Sequence, residues 1–149
     1  MDRQTLITKA QFLVPVPFSA AREYSMYSRL LAAEVTRRLM EREDIEKHIG
    51  SCNSSAMEDN HRNHSLFMAS LLGNYHPETL IDTVLWVMKV YRSRGFSRSY
   101  WELQLRTWLE VLPQYLSPES NEAIAPFYRF LLAQVDAFDE LHHQEQPHE

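Results

Sequence analysis

The chain has 149 residues, of which 44% are hydrophobic and 11% aromatic, and this length suits one domain with one core. Its formal net charge of -5 argues against a general nucleic-acid or anionic-membrane partner, for which a basic face is expected. The single cysteine, Cys52, excludes an intrachain disulfide and a cysteine-based zinc site. No apolar run approaches the roughly 18 residues of a membrane span. We therefore expect a soluble, cytoplasmic protein that contacts neither nucleic acid nor membrane.

Proline positions and polar composition divide the chain into three parts. Pro15 and Pro17 disfavour helix, so we predict that residues 1–18 form an extended N-terminal strap packed on the remainder. Residues 19–138 carry the helical patterns and form the predicted bundle. Residues 139–149 end in a polar stretch and are predicted to be disordered.

Apolar residues recur every three or four positions through most of the chain, which predicts helices. The predicted helices cover residues 19–49, 55–72 and 77–94, with a fourth from Ser99 and a fifth after Ser117. No stretch alternates with the period of a strand. The fold class is therefore all-α, a single-domain bundle of four to five helices, and the helix over residues 77–94 is predicted to be central because its apolar residues cover more than half of its circumference.

Local signals refine the helix boundaries. Gly50, Gly73 and Gly95 each end a helical run, as expected of the left-handed residue that follows a helix terminus. Ser99 and Glu102 have the spacing of a capping box. The charged stretch around Arg42 favours a break or bend in the first helix, and Pro126 favours a kink in the fifth.

The second predicted helix begins with a polar cluster that no familiar catalytic or cofactor motif explains. Glu58 and Asp59 lie in its first turn, where the helix dipole favours negative charge, and His61 and His64 share one face. These side chains either close one end of the core with hydrogen bonds or face a ligand. The candidate ligand-binding residues are Asp59, His61, His64, Trp86, Tyr91 and Arg94.

Two histidines on one helical face can also share a metal ion, so His61 and His64 form a candidate metal site. Glu58 precedes His61 by three positions and completes one Glu-x-x-His pair. Di-iron bundles need two such pairs and further glutamates on facing helices, and the other predicted helices supply no second pair. A metal centre is therefore the weakest of the alternatives.

Basic residues are concentrated after the third predicted helix, and no acidic residue lies between Asp82 and Glu102. Arg92, Arg98 and Arg106 form a candidate anion-binding site for a phosphate or carboxylate. The alternative is a solvated corner, because the dipole of a helix favours cations near its C-terminal end.

The tryptophans admit two interpretations as well. Trp86, Trp101 and Trp108, with Tyr91, can line a pocket for a flat ligand such as a tetrapyrrole or flavin, as happens between the helices of other bundles. Trp101 and Trp108 are also two turns apart on one stripe, which is ordinary core spacing.

Catalytic motifs give no support for an enzyme. The chain has no Gly-x-Ser-x-Gly nucleophile elbow and no glycine-rich phosphate loop, and its single cysteine, Cys52, belongs to no recognised Cys/His catalytic arrangement. We therefore expect a non-enzymatic protein.

Several positions from about residue 30 to residue 130 resemble a helical domain of bacterial proteins that often carry a cobalamin-binding domain further along. The matching residues are Gly50, Asp59, His64, Phe67, Met68, Pro77, Trp86, Arg94 and Gly95. The resemblance implies a sensory or regulatory helical module. It does not extend to cobalamin itself, because the Asp-x-His-x-x-Gly motif of the cobalamin-binding domain is missing.

Three functional hypotheses follow. The first is a signalling or regulatory module that acts through protein–protein contact as a homodimer, which predicts an exposed apolar patch on the first or fifth helix. The second is a sensor that holds a tetrapyrrole or a carboxylated ligand between the second, third and fourth helices, which predicts a cavity of several hundred cubic ångströms there. The third is a metal-binding bundle at His61 and His64.

Overall fold

The structure, a computed structural model, describes residues 1–144, with side chains described as far as Leu141. Within this range the chain is helical and contains no strand, which confirms the all-α prediction. The described residues form eight helices: α1 Arg3–Ala10, α2 Phe18–Met40, α3 Ile45–Ile49, α4 Ser54–Gly73, α5 Pro77–Ser93, α6 Arg98–Tyr115, α7 Pro118–Ala133 and α8 Val135–Gln144. None of them is both long enough and apolar enough to cross a bilayer.

The prediction of four to five helices is wrong because α1 precedes the predicted bundle and two of the five predicted helices are each broken into two. The first ends at Met40 and resumes at Ile45, after a turn in which Arg42 and Asp44 form an ion pair of 2.9 Å. The fifth breaks at Gln134, whereas Pro126 lies inside α7. The charged stretch thus ends a helix, as its composition suggested.

The N-terminal strap is only partly extended. Asp2 caps α1 by accepting a hydrogen bond of 2.8 Å from the backbone N–H of Thr5, and Leu6 lies in the core. Residues 13–17 have no regular structure, and Leu13 and Val16 of this stretch pack against the core. The prediction of an extended strap over 1–18 is therefore wrong for the first ten residues, which form one short capped helix.

The C-terminal prediction also needs correction. Helix α8 continues to Gln144, and Phe138 and Leu141 are buried, so residues 139–144 are helical rather than disordered. The last five residues, 145–149, lie outside the described part of the chain.

Helices α2 and α6 form the centre of the bundle. Helix α2 packs against α4, α6 and α7, and α6 also packs against α3, α7 and α8. Tyr24, Leu31 and Val35 of α2 are fully buried, as is Trp108 of α6, so the largest apolar surfaces of the chain meet here.

Helix α5 is peripheral, contrary to the prediction that residues 77–94 are central. It packs mainly against α1 and α8, and its Trp86 is 65% exposed. Its apolar circumference is divided between the core, where Leu80 and Ile81 are buried, and the cavity described below. The apolar face of α5 is therefore broad because the helix contacts both the core and the cavity, and not because it lies at the centre of the bundle.

Ion pairs attach α5 at both ends. Near its first turns, Arg3 of α1 donates to Glu78 at 2.8 Å and to Asp82 at 2.7 Å. Near its last turn, Arg92 pairs with Asp139 of α8. The position of α5 is thus fixed from its two ends.

A third attachment joins the C-terminal ends of α3 and α5. The Asn53 side chain donates to the carbonyl oxygens of Ile49, at 2.7 Å, and Arg94, at 2.8 Å. Gly50 has a φ of +85°, and a Cβ at this position would lie 3.2 Å from the carbonyl oxygen of Gly95. The junction therefore requires a glycine in the left-handed region.

Two predictions about the ends of helices are wrong. Gly73 is the last residue of α4 and has no left-handed backbone angle, so its role is not that of a helix-ending glycine. The predicted capping box at Ser99 and Glu102 is absent, because α6 begins at Arg98 and the Ser99 hydroxyl hydrogen-bonds to His48 Nδ1 at 2.7 Å. Pro77 does occupy the start of α5, as predicted.

Gly50, which follows α3, and Gly73, the last residue of α4, give a matched pair of alanine substitutions. Gly50→Ala should lower the free energy of unfolding by about 1–2 kcal/mol, because it forces an L side chain into the left-handed region beside a carbonyl oxygen. Gly73→Ala meets no atom within 4 Å and should raise the same quantity by up to about 1 kcal/mol. Urea unfolding of both variants measures the difference, and equal effects would contradict the junction described above.

Candidate functional site

A cavity of about 440 Å³ lies between α5 and the helices α4, α6, α7 and α8. It exists because α5 is attached at its ends and packs little against α4 and α6 along its length. Its walls are predominantly apolar, and they are built by residues of four helices: Phe67, Val84, Val87, Trp101, Leu105 and Phe138. A mostly apolar, preformed cavity of this size is typical of small-molecule sites.

Five of the six residues proposed from the sequence as ligand-binding line this cavity, and they are Asp59, His64, Trp86, Tyr91 and Arg94. They come from α4 and from α5 with the residue that follows it, Arg94, and the two helices face each other across the cavity. His61 is not among the described lining residues, because it lies on the side of α4 that packs into the core.

One end of the cavity carries charge. The Arg94 guanidinium lies over the Tyr91 ring, 5.4 Å from its centroid, and has no carboxylate partner among the described residues. Asp59 is already paired with Arg62 at 2.7 Å. Arg94 is thus a cation held in place by stacking and available to an anion.

His61 belongs to a buried hydrogen-bond network of α2, α4 and α6. Its Nδ1 lies 2.7 Å from the Thr36 hydroxyl, and its Nε2 lies 3.0 Å from the Tyr100 hydroxyl. The Tyr100 hydroxyl donates to Asn60 Oδ1 at 2.5 Å, and Gln104 donates to the same oxygen at 2.8 Å. Both ring nitrogens of His61 are therefore occupied by protein groups.

His64 belongs to a second network, which joins α4, α7 and α2. Its Nε2 lies 2.9 Å from the Tyr128 hydroxyl, which lies 2.7 Å from the Tyr24 hydroxyl. The imidazole packs against Trp108, with ring centroids 4.8 Å apart. His64 is thus oriented by core residues on one side while it lines the cavity on the other.

Burial determines the protonation state of the histidine and tyrosine side chains in these networks. It lowers the pKa of His61 and of His64 to about 3, and for His61 the neighbouring His64 contributes as well. It also raises the pKa of the Tyr24 and Tyr128 hydroxyls. Near neutral pH the imidazoles are therefore uncharged and the phenols keep their protons.

The described residues contain no group of three or more histidine, cysteine, aspartate or glutamate side chains that could hold a metal ion. The ring nitrogens of His61 also hydrogen-bond to hydroxyls, so they are not directed at His64 or at a shared ion. The donor set thus argues against His61 and His64 as a shared metal site.

The proposed anion-binding arginines have other contacts. Arg92 pairs with Asp139, and Arg98 pairs with both Asp136 and Glu102. Two of the three therefore hold α8 rather than face the cavity. Arg106 is exposed on α6 and is not among the described residues that line the cavity.

Sequence reasoning missed the hydroxyl and amide groups that position the histidines. Tyr24, Tyr100 and Tyr128 appear in the sequence as ordinary members of apolar stripes, and their contacts join residues about 40 to 100 positions apart. One signal was present: Asn60 and Gln104 are polar residues at core-facing helical positions, and such residues need partners when buried.

Comparison of the chain with protein-family models, with curated proteins and with solved structures gives no match. The function is therefore argued from the cavity and its polar groups.

The two neutral histidines predict a defined pH dependence of stability. Each unfolded ring takes up a proton near its ordinary pKa of 6.5 and each folded ring only near 3, so the unfolded state binds more protons between these values. The free energy of unfolding should fall by about 2 kcal/mol per histidine from pH 7.5 to pH 5. Urea unfolding at both pH values measures this loss.

The double variant His61→Gln/His64→Gln is the control, because it removes both groups while keeping amide donors and acceptors. It should lose far less stability over the same pH interval than the natural chain. An equal loss in both proteins would show that other groups cause it.

Proposed function

We propose that this protein is a non-enzymatic regulatory module that binds a small amphipathic carboxylic acid in the cavity beneath α5. The observation that carries the proposal is the cavity itself, with about 440 Å³ of space, apolar walls and a few polar groups. Small-molecule sites commonly have this composition, in which the apolar walls supply affinity and the polar groups fix orientation.

Arg94 favours the carboxylated ligand over the other class suggested by the sequence, a tetrapyrrole. It is the one cation among the described lining residues, and its guanidinium lies over the Tyr91 ring. A planar guanidinium binds a carboxylate with two parallel hydrogen bonds. A single cation and a cavity of this volume suit a compact molecule with one acidic group.

A ligand in this cavity would stabilise the position of α5. It would contact Val84 and Val87 of α5 on one side and Leu105 of α6 on the other, where the helices otherwise pack little. A link between ligand binding and the position of α5 fits the sensory or regulatory role implied by the resemblance to bacterial modules next to cobalamin-binding domains. That resemblance stays a prediction.

Filling the cavity tests the proposal. Decanoic acid, below its aggregation concentration and at about a hundredfold excess over its Kd, should raise the melting temperature of the natural chain by about 5–10 °C. Val87→Trp places an indole in the cavity and should abolish both this shift and the heat of binding in calorimetry.

Val14→Trp is the matched control, because Val14 is 76% exposed and lies outside the cavity. It should bind decanoic acid as the natural chain does. The proposal fails if neither decanoic acid nor a panel of aromatic carboxylates binds, or if the Val87→Trp variant binds them equally well.

We propose self-association through α2 as a second function, because α2 exposes apolar side chains along one face. Phe18, Met26 and Leu30 follow each other at helical spacing and are 80%, 71% and 53% exposed. Met26 and Leu30 lie on the first predicted helix, where a homodimer would need an exposed apolar patch, and the patch would connect the module to a second copy of itself.

Leu30→Glu should shift sedimentation toward a monomer, because it places a charge in the centre of the proposed interface. Leu66→Glu is the matched control, since Leu66 is also 53% exposed but lies on α4, and it should leave the oligomeric state unchanged. A natural chain that sediments as a monomer at every concentration would contradict self-association.

A further inference from the structure

His64 presents one unoccupied polar atom at the cavity. Its Nε2 is bonded to Tyr128, while its Nδ1 has no hydrogen-bond partner among the described residues and is not enclosed by protein. His64 lines the cavity, so Nδ1 is the ring nitrogen through which it could hydrogen-bond to a bound molecule. Whether this nitrogen donates or accepts depends on the tautomer of the ring.

The two buried tyrosines determine that tautomer. Tyr24 has Tyr128 as its described side-chain partner, and Tyr128 has Tyr24 and His64. If Tyr128 donated to Tyr24, the Tyr24 proton would have no acceptor, which costs about 1–3 kcal/mol for a buried group. Tyr24 therefore donates to Tyr128, and Tyr128 donates to Nε2 of His64.

The neutral ring then carries its proton on Nδ1, so His64 offers an N–H donor to the cavity. The arrangement holds this donor in one orientation, because the ring packs against Trp108 and Tyr128. A molecule bound against it satisfies the donor only with an acceptor atom.

We infer that the ligand carries, besides its carboxylate, a neutral hydrogen-bond acceptor such as a keto oxygen that accepts from Nδ1–H of His64. This inference rests on the proposed function and narrows its ligand class. A ligand with a hydroxyl satisfies the site less well, because its own proton then needs a second acceptor.

The position of the acceptor in a test ligand is chosen from α4. Asp59 and His64 both line the cavity from this helix and are five residues apart, which is about 7.5 Å along a helix. Arg94 and Tyr91 line the same cavity from the other side. We therefore place the acceptor of the test ligand near the middle of a chain as long as decanoic acid.

A pair of probes tests the inference. Decanoic acid and a derivative with a keto oxygen near mid-chain differ in this one acceptor, and calorimetry gives both Kd values. The keto acid should bind about fivefold to tenfold more tightly to the natural chain, as expected for one hydrogen bond of about 1 kcal/mol.

Two variants should remove this preference. His64→Phe deletes the donor, and Tyr128→Phe releases Nε2 so that the ring is free to carry its proton there. Tyr100→Phe is the matched control, because it removes a buried hydroxyl bonded to His61 and should keep the preference. Thermal unfolding verifies that each variant is folded.

Nitrogen-15 NMR of the imidazole rings reports the tautomer without any ligand and should show the His64 proton on Nδ1. A proton on Nε2, or equal binding of both probes by the natural chain, would overturn the inference while leaving the proposed function intact. Failure of both probes to bind would overturn the inference, and failure of the aromatic carboxylates as well would overturn the proposed function.

Discussion

The attachment of α5 at its two ends is the constraint on which the candidate site depends. Arg3 holds the first turns through Glu78 and Asp82, and Arg92 holds the last turn through Asp139. Ion pairs on a surface contribute little stability individually, and α5 is also held by its packing against α1 and α8 and by the burial of Leu80 and Ile81. Against α4 and α6, in contrast, it packs little. The space left between α5 and the core is the cavity.

The walls of this cavity combine two kinds of interaction. Apolar side chains of α5 and α6 provide most of the surface, and their contact with a ligand would replace the helix–helix packing that is missing there. On α4, His61 and His64 are held in hydrogen-bond networks that join this helix to α2, α6 and α7. Buried networks of this kind are stabilising when every member is satisfied, and they fix the register of the helices that carry them. The polar groups at the cavity are thus oriented before any ligand arrives.

Local signals were sufficient to predict α4 and α5, and most of the candidate site residues that they indicated line the cavity. The polar start of α4 and the Arg-Gly end of α5 identified Asp59, His64 and Arg94 without knowledge of the packing. Long-range geometry was not accessible in the same way. The broad apolar face of α5 suggested a central helix, because a cavity wall and a core face have the same composition. The partners of His64, Tyr24 and Tyr128, lie on helices that only the fold brings together.

The most direct test of this account is a crystal structure of the protein under xenon pressure, because xenon enters apolar cavities whatever their natural ligand. The account predicts a xenon atom between α4, α5 and α6, near Val87 and Leu105, with α5 attached at both ends. A structure in which α5 packs along its length on α4 and α6, with no xenon between them, would contradict the central claim.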